Sequence, residues 1–501
     1  MSGHYSDFVL AVMDTAVTLF LFLIGAALLA VLVLYVIDVT QTTHAIRRNY
    51  PVIGRLRYWF EHLGQYFRQY FFAMDREEMP FNREQRSWVY RAAKGGDNTV
   101  AFGSTRDLRP SGTIIFVNCP FPTQEQDAAP ASALTIGAGC DRPYTAKSLI
   151  NISAMSFGAL SKVAIEALSN GARMAGCWHN TGEGGLSPYH LAGGADLVFQ
   201  IGTAKYGARN EEGALCDIKL RELAAHEQVR MFEIKLSQGA KPGKGGILPA
   251  AKVTAEIAAI RGIPAGQASI SPNRFDEINS PGDLLDLIDR VRRVTGKPVG
   301  FKCVLGAYGW LEELCEMINK RGIASAPDFI TVDSADGGSG AAPMSLIDAM
   351  GLPISESLPK VVDILCAAGL RGRIRVIASG KLVNPINVAW ALCAGADFVQ
   401  SARGFMLAIG CIQAMQCNKN TCPTGITTHN PKLQHGLVPA DKAVRVANFV
   451  HNMVHEVGTI AHSCGVSEPR KLRRYHARIV CEGGASLPLD EIYPEVPPRA
   501  A

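Results

Sequence analysis

Read by the spacing of its apolar positions, the chain changes character twice. Thr15–Ile37 runs 23 residues without a charged side chain, and as a helix rising about 1.5 Å per residue it outreaches a hydrocarbon core of about 30 Å. A cleaved leader is disfavoured, because no Lys or Arg precedes the run and no small-residue cleavage site follows it. Arg47, Arg48, Arg55 and Arg57 come soon after it, so the positive-inside rule predicts an outward N-terminus and a cytoplasmic remainder at an inner membrane. The anchor occupies residues 1–39. Residues 40–97 form a basic, aromatic linker centred on RNYPVIGRLRYWFEHLGQYFRQYFF. This segment reads equally as a helix at headgroup level or as an amphipathic helix packed on the soluble part.

From residue 98 the pattern becomes one of short apolar bursts separated by helical periodicity. Eight bursts are expected strands: Leu149–Ala154, Gly176–Asn180, Leu197–Ile201, Met231–Leu236, Val299–Val304, Phe329–Asp333, Ile374–Ala378 and Phe398–Ser401. Helices are expected between them, over Ser161–Ala175, Pro281–Thr295 and Asn384–Ala394 among others. Strands alternating with helices imply a parallel sheet, and eight repeats close a (β/α)8 TIM barrel over 98–428, with a C-terminal helical extension and tail over 429–501. An open dinucleotide-binding sheet lacks its signature, since Gly137 and Gly139 have no third glycine at the required spacing. GAKPGKGG at Gly239–Gly246 misses a Walker loop in both spacing and its final Ser or Thr.

Composition narrows the class. With 48% hydrophobic and 19% charged residues the chain is neither disordered nor fibrous. Its net charge of +5 is not gathered into a stripe, so no nucleic-acid partner is expected. Thirteen cysteines, none before Cys119, do not suit a disulfide framework. Three of them, Cys411, Cys417 and Cys422, fall in one C-x5-C-x4-C run closed by Pro423. Zinc prefers four ligands in closer pairs, whereas three thiolates beside a proline suit a three-iron [3Fe–4S] cluster. A distant fourth ligand such as Cys464 would make it a four-iron centre.

Barrel chemistry sits at the C-terminal ends of the strands. Those ends read SAMSFGALS, HNTGEGG, EIKLSQGAKPGKGG, FKCVLG, DSADGGSGA, ASGK and SARGF. Small residues, amides and single charges recur there, which suits a large planar phosphorylated ligand better than a metal ion. Gly380 with Lys381, and Gly404 with Arg403, follow the seventh and eighth strands, where barrels commonly hold a phosphate. A phosphate there with a ring across the mouth describes FMN. Ala154, Met155, Ser156 and Gly338 are further candidates for contact with it. Lys302 is expected at the flavin N1–C2=O edge, where a cation stabilises the reduced ring. The bland alternative for Lys302 is a salt-bridged core lysine.

Taken together, SAMSFGALS, NTGEGG, EIKLSQGAKPGKGG, ADGGSGAAP and GCIQAMQCNKNTCPTG resemble the FMN-binding synthase domain of glutamate synthase, over about Ser104 to Val480. The anchored layout is similar to the membrane-anchored, single-domain members of that family. The resemblance implies FMN beside a [3Fe–4S] cluster and reductive amination of 2-oxoglutarate to L-glutamate through 2-iminoglutarate. It places the 2-oxoglutarate contacts on Gln238, Lys241 and Arg261, and gives Glu183 a catalytic role in orienting the imine or ammonia, with Lys302 at the flavin. A dicarboxylate does need two cationic anchors, and Arg261 offers a two-point grip.

The departures shape the expected partners. No cysteine precedes Cys119, so a glutaminase nucleophile has no counterpart, and ammonia is expected from outside or from a glutaminase partner. SPNRFDEINS stands at Ser271–Ser280 where SPPPHHDIYS is usual, and ASGK where DGG is usual. Nothing resembles an NAD(P)H domain, so electrons are expected from ferredoxin, a flavoprotein subunit or a membrane donor. A homo-oligomer is compatible with the sequence. Two other functions fit in outline: an FMN-dependent dehydrogenase of another amino or 2-oxo acid, and a non-catalytic membrane-tethered redox relay. The base motif of hydroxy-acid oxidases is missing, as Leu437 follows His435-Gly436.

Overall fold

The computed structural model describes residues 2–497 and divides into two compact units, 1–83 and 84–501. In the first, a single helix covers Ser2–Thr40. It contains the only stretch among the described residues long and apolar enough to cross a membrane, Asp7–Thr40, with a mean hydropathy of 3.0. A short helix, Ala45–Asn49, and an amphipathic one, Ile53–Phe67, follow it and end in a π-turn over Arg68–Phe72.

The second unit begins at Glu84, inside the stretch assigned to the linker. The reason is apolar: in the helix Arg83–Ala93, Val89, Ala92 and Ala93 are buried. Trp88 Nε1 donates to Glu456, and Asn452 Nδ2 donates to the carbonyl of Ala92 at 3.0 Å.

Eight strands of this unit close into a parallel barrel: β1 Ile150–Ile152, β2 His179–Asn180, β3 Leu197–Ile201, β4 Val229–Lys235, β5 Val299–Cys303, β6 Phe329–Asp333, β7 Arg375–Ser379 and β8 Phe398–Ser401. The ring closes where β8 pairs with β1, Gln400 opposite Asn151. All eight expected strands are present. Caps fix the helices between them. Ser161 Oγ accepts from Ala164 N ahead of Lys162–Ala175, and Gly176 ends that helix at φ 67°. Ser280 and Gly296 bound Pro281–Thr295 in the same way. The helix Pro439–Ser463 packs on Lys162–Ala175, where Gly171 lets it approach so closely that a Cβ there would strike Val446. The C-terminal region is not wholly helical, because Ala477–Val480 and Ser486–Pro488 form an antiparallel sheet with Ile114–Phe116.

Alternation along the strands divides the barrel interior into levels. At the N-terminal end a hairpin, Leu134–Ile136 with Tyr144–Ala146, plugs the floor. Its Ile136, Tyr144 and Ala146 join Trp178, Val198, Met231, Phe329, Ile377 and Phe398 in one buried apolar cluster. Two residues further along the strands the lining turns polar. The Glu233 carboxylate is 1% exposed and accepts from Asn180 Nδ2 (2.8 Å), Gln200 Nε2 (2.6 Å) and Thr331 Oγ1 (2.6 Å). Above that level the lining is charged, and the barrel opens.

Candidate active site

The mouth is built by loops that the strand ends launch. After β4 the chain makes an excursion through the hairpin Ile247–Leu248/Ser269–Ile270 and the helix Ala255–Arg261, started by a Thr254 cap and ended by Gly262 at φ 65°. This excursion carries Lys241, Lys252 and Arg261 over the opening. The result is a cavity of about 830 Å³ including its open mouth. A narrower cleft continues from it toward the ends of β5, β7 and β8.

The cavity's charge is lopsided. Its lining carries Lys235, Lys241, Arg261 and Arg403, with Glu183 as the sole carboxylate among the described lining residues. Lys235 is 6%, Lys241 4% and Arg261 5% exposed. Lys235 Nζ meets Glu183 Oε2 at 2.8 Å and donates to Gln238 Oε1 at 2.9 Å. Lys241 Nζ donates only to the Ala341 carbonyl, at 3.1 Å. Arg261 lies over the Tyr206 ring, 5.2 Å from its centroid, and reaches Ser269 Oγ and the Phe157 carbonyl at 3.4 and 3.5 Å, while its buried Nε has no partner. Burial works against a charged Glu183, but Lys235, Lys241 and Arg261 together hold its carboxyl below the usual value. Burial and the neighbouring Lys235 push the Lys241 ammonium down to about 8, against the pull of Glu183. Gly202 and Gly246 make room for Glu183 from two separate segments, since a Cβ on either would run into its side chain.

The expected cofactor residues are distributed unevenly. Ala154, Met155 and Ser156 line the cavity, and Gly338 and Arg403 line both cavity and cleft. Lys302, Gly380 and Lys381 line the cleft. Gly380 has φ 108°, and a Cβ there would collide with Ser334, so only glycine brings the backbone this close to the opening. Lys302 is ion-paired with Asp333 at 3.0 Å, the arrangement of a core salt bridge, yet it lines the cleft as well. Lys381 sits at φ 52° with its ammonium 2.7 Å from Asp336. Gly404 lies outside the residues that line cavity or cleft. It faces Phe449, which a Cβ would approach to 3.0 Å, and its N–H donates to Ser401 Oγ. Within β8, Gln400 Nε2 is buried without a partner among the described residues.

The three clustered cysteines lie near enough to feel one another's charge. Two cations face them: Arg403 Nη1 is 3.7 Å from Cys417 Sγ, and Lys252, buried, donates to the Cys417 carbonyl. Gln413, Met415 and Asn420 in this loop all adopt left-handed backbone, a cost that non-glycine residues bear where surrounding structure imposes it. Among the described residues no three His, Cys, Asp or Glu converge as ligands of one metal ion. Cys464 does not join the group; its thiol neighbours are Cys119 and Cys393, at the far end of the helix Pro439–Ser463.

Sequence reasoning passed over Lys235, Asp333 and Lys252. Lys235 lies within a quoted motif, and its spacing of two from Glu233 on β4 already placed both on the inner face.

A conserved-region model of glutamate synthase matches residues 124–467. The glutamate synthase large subunit-like protein of Bacillus subtilis (strain 168) is 38% identical over 518 residues, covering 95% of this chain and 98% of that protein. The archaeal glutamate synthase (NADPH) of Methanocaldococcus jannaschii is 35% identical over 338 residues, 66% of this chain and 61% of that enzyme's length. A solved mandelate oxidase with benzoyl-formic acid aligns at 15% identity and a TM-score of 0.46, over 79% of this chain and 98% of that one, a likeness too distant to bear on chemistry.

Proposed function

This chain belongs to the glutamate synthase family, and from that premise we propose that it is an FMN- and iron–sulfur-dependent oxidoreductase that reductively aminates 2-oxoglutarate to L-glutamate. One observation carries the reading: four buried or half-buried cations face a single carboxylate in the cavity at the barrel mouth. Unpaired charge away from water is costly; Lys235 is paired with Glu183 and Arg403 faces Cys417, which leaves Lys241 and Arg261 as the two cations a dicarboxylate would neutralise. Arg261, a lining residue of the cavity whose buried Nε has no partner among the described residues, grips one carboxylate through its planar fork. Lys241 takes the other, with Gln238 beside it. Lys235 holds Glu183 ionised, and Glu183 orients the ammonia that adds to the keto carbon, the keto oxygen leaving as water to give 2-iminoglutarate, whose nitrogen it continues to hold.

FMN fits the cleft: Gly380 brings backbone to the opening and Lys302 would supply a cation at the ring edge. Bound there in its reduced form, FMN would supply the hydride that turns 2-iminoglutarate into glutamate. Ala154, Met155 and Ser156 on one side and Gly338 on the other set the width of the slot. Cys411, Cys417 and Cys422 hold the [3Fe–4S] cluster. A single ion would need all three sulfurs within about 2.3 Å of one point, whereas a polynuclear cluster keeps its cysteines apart. Arg403, touching both cavity and Cys417, spans the interval between the two groups. Ammonia and electrons come from separate donors, and the helix Ser2–Thr40 crosses the inner membrane with its N-terminus out and the barrel in the cytoplasm.

The experiment is a titration of flavin absorbance with 2-oxoglutarate in the purified holoenzyme, followed by anaerobic reoxidation of reduced enzyme on adding 2-oxoglutarate and ammonium. Saturable perturbation and stoichiometric glutamate are expected. A flavin indifferent to 2-oxoglutarate overturns the reading.

A further inference from the structure

The N-terminal unit carries an apolar stripe that has no role in the chemistry above. Along the helix Ile53–Phe67 and its π-turn, Ile53, Leu56, Phe60, Leu63, Phe67 and Phe71 recur at spacings of three or four, which puts them on one face. That face is turned to solvent: Ile53 is 72%, Phe60 59% and Phe71 73% exposed. The other flank is partly covered, with Gly54 and Gln69 buried. Trp59 and Tyr70 stand exposed at the border of the stripe. Arg48, Arg57 and Arg68 punctuate the segment, and no ion pair involves them among the described residues.

The stripe is held in a fixed relation to the long helix. Asp38, near the end of Ser2–Thr40, has no exposed surface and binds three groups from the next two helices and their joint. Its carboxylate meets Arg47 at 2.9 Å and Arg55 Nε at 2.8 Å, and accepts from Val52 N at 3.0 Å. Val52 adopts φ 66°, an outlier for a β-branched residue, to present that N–H. Gly54 permits the close approach, since a Cβ there would lie 2.9 Å from the Ile46 carbonyl. A rigid elbow therefore joins an apolar helix of spanning length to an exposed apolar stripe edged by arginine and aromatic rings.

We propose that this elbow lays the Ile53–Phe72 segment onto a lipid surface, its stripe sunk among the acyl chains' upper ends and Arg48, Arg57 and Arg68 on anionic headgroups. Trp and Tyr at the stripe's border suit the headgroup level, and arginine adds attraction to acidic lipid. Continuity with the long helix selects lipid over a protein partner, and the proposal rests on that helix crossing the membrane. The Asp38 clasp makes the second attachment an outcome of folding.

The test uses the full-length holoenzyme in vesicles of phosphatidylcholine with phosphatidylglycerol, and phospholipids brominated either near the headgroup or near the chain ends. The signal from Trp59 is the difference in emission between the wild type and Trp59→Phe. Shallow bromine is expected to remove most of it and deep bromine little, while Phe60→Gln/Phe67→Gln/Phe71→Gln abolishes the quenching. Asp38→Asn should weaken the shallow preference without releasing the protein. Trp59 emission untouched by either brominated lipid overturns the proposal, as does quenching that survives the triple change. Extraction by alkaline carbonate reads the spanning helix separately: a protein that resists extraction yet shows no quenching defeats only the surface proposal, and one that is released defeats the anchor.

Discussion

The floor and the mouth of the barrel are made by the same eight strands a few residues apart, and they solve opposite problems. At the floor, Trp178, Met231, Phe329 and Phe398 meet a hairpin plug with no charge in the cluster. At the mouth, Lys235, Lys302 and Asp333 extend the same strands, and loop-borne Lys241 and Arg261 crowd in beside them. The floor gains stability from burial. The mouth gives some of it up by holding buried cations together at an opening. A strand's inner face thus carries no single character, and its position along the barrel axis decides whether a residue serves fold or function.

The largest effect that separates the ends is Trp178→Ala. Removing a buried indole from the floor should cost about 3–5 kcal/mol of stability, read as a lowered denaturation midpoint, with unchanged 2-oxoglutarate affinity in whatever fraction folds. Loss of ligand binding with stability intact would erase the contrast. Arg261→Lys probes the other end. It keeps charge but forfeits the fork, and losing that grip on a buried carboxylate should cost about 2–5 kcal/mol of affinity, with FMN and iron content and thermal stability close to wild type. Titration of the flavin spectrum measures it.

Ligand linkage should be nearly as large. At a hundred times its Kd, 2-oxoglutarate should stabilise the fold by about 2.7 kcal/mol, and a monocarboxylate of similar size should do much less. Equal stabilisation by both would mean the cation surplus does not select a dianion. The smallest effect is in pH. Lys241, held down to about 8, is charged below that pH and neutral above it, so 2-oxoglutarate affinity should weaken as pH rises through about 8, by up to tenfold per unit, or about 1.4 kcal/mol. That limb should vanish in Lys241→Met. A pH profile identical in the variant would assign the titration elsewhere.

Strand positions were legible because a buried parallel strand is a short apolar run with turn residues on either side, and β3, β6 and β8 coincide with their runs. β2 shrank from five expected residues to His179–Asn180, since Gly176 terminates the preceding helix and uses up the run's start. The floor plug stayed invisible: three-residue strands such as Leu134–Ile136 are too brief to show a period. So did the sheet that joins Ile114–Phe116 to Ala477–Val480, because pairing across so much chain leaves no local mark. In the site, motifs pointed to Glu183, Gln238, Lys241 and Arg261, which the fold gathers into one cavity. Lys235 was passed over because it is buried within a run of apolar strand residues, and Gly404 lies outside the residues that line cavity or cleft because spacing after a strand does not say which way a backbone faces.

Gly202 and Gly246, pressed against Glu183 from two segments, bear on how this protein tolerates variation. Neither offers a side chain to any reaction, and a survey of functional groups would pass both by. Yet alanine at either position would displace the carboxylate and cost Lys235 its ion pair. Inherited or laboratory changes at these glycines should therefore act on the candidate active site through Glu183, and a mutational scan scored on activity should find both positions intolerant.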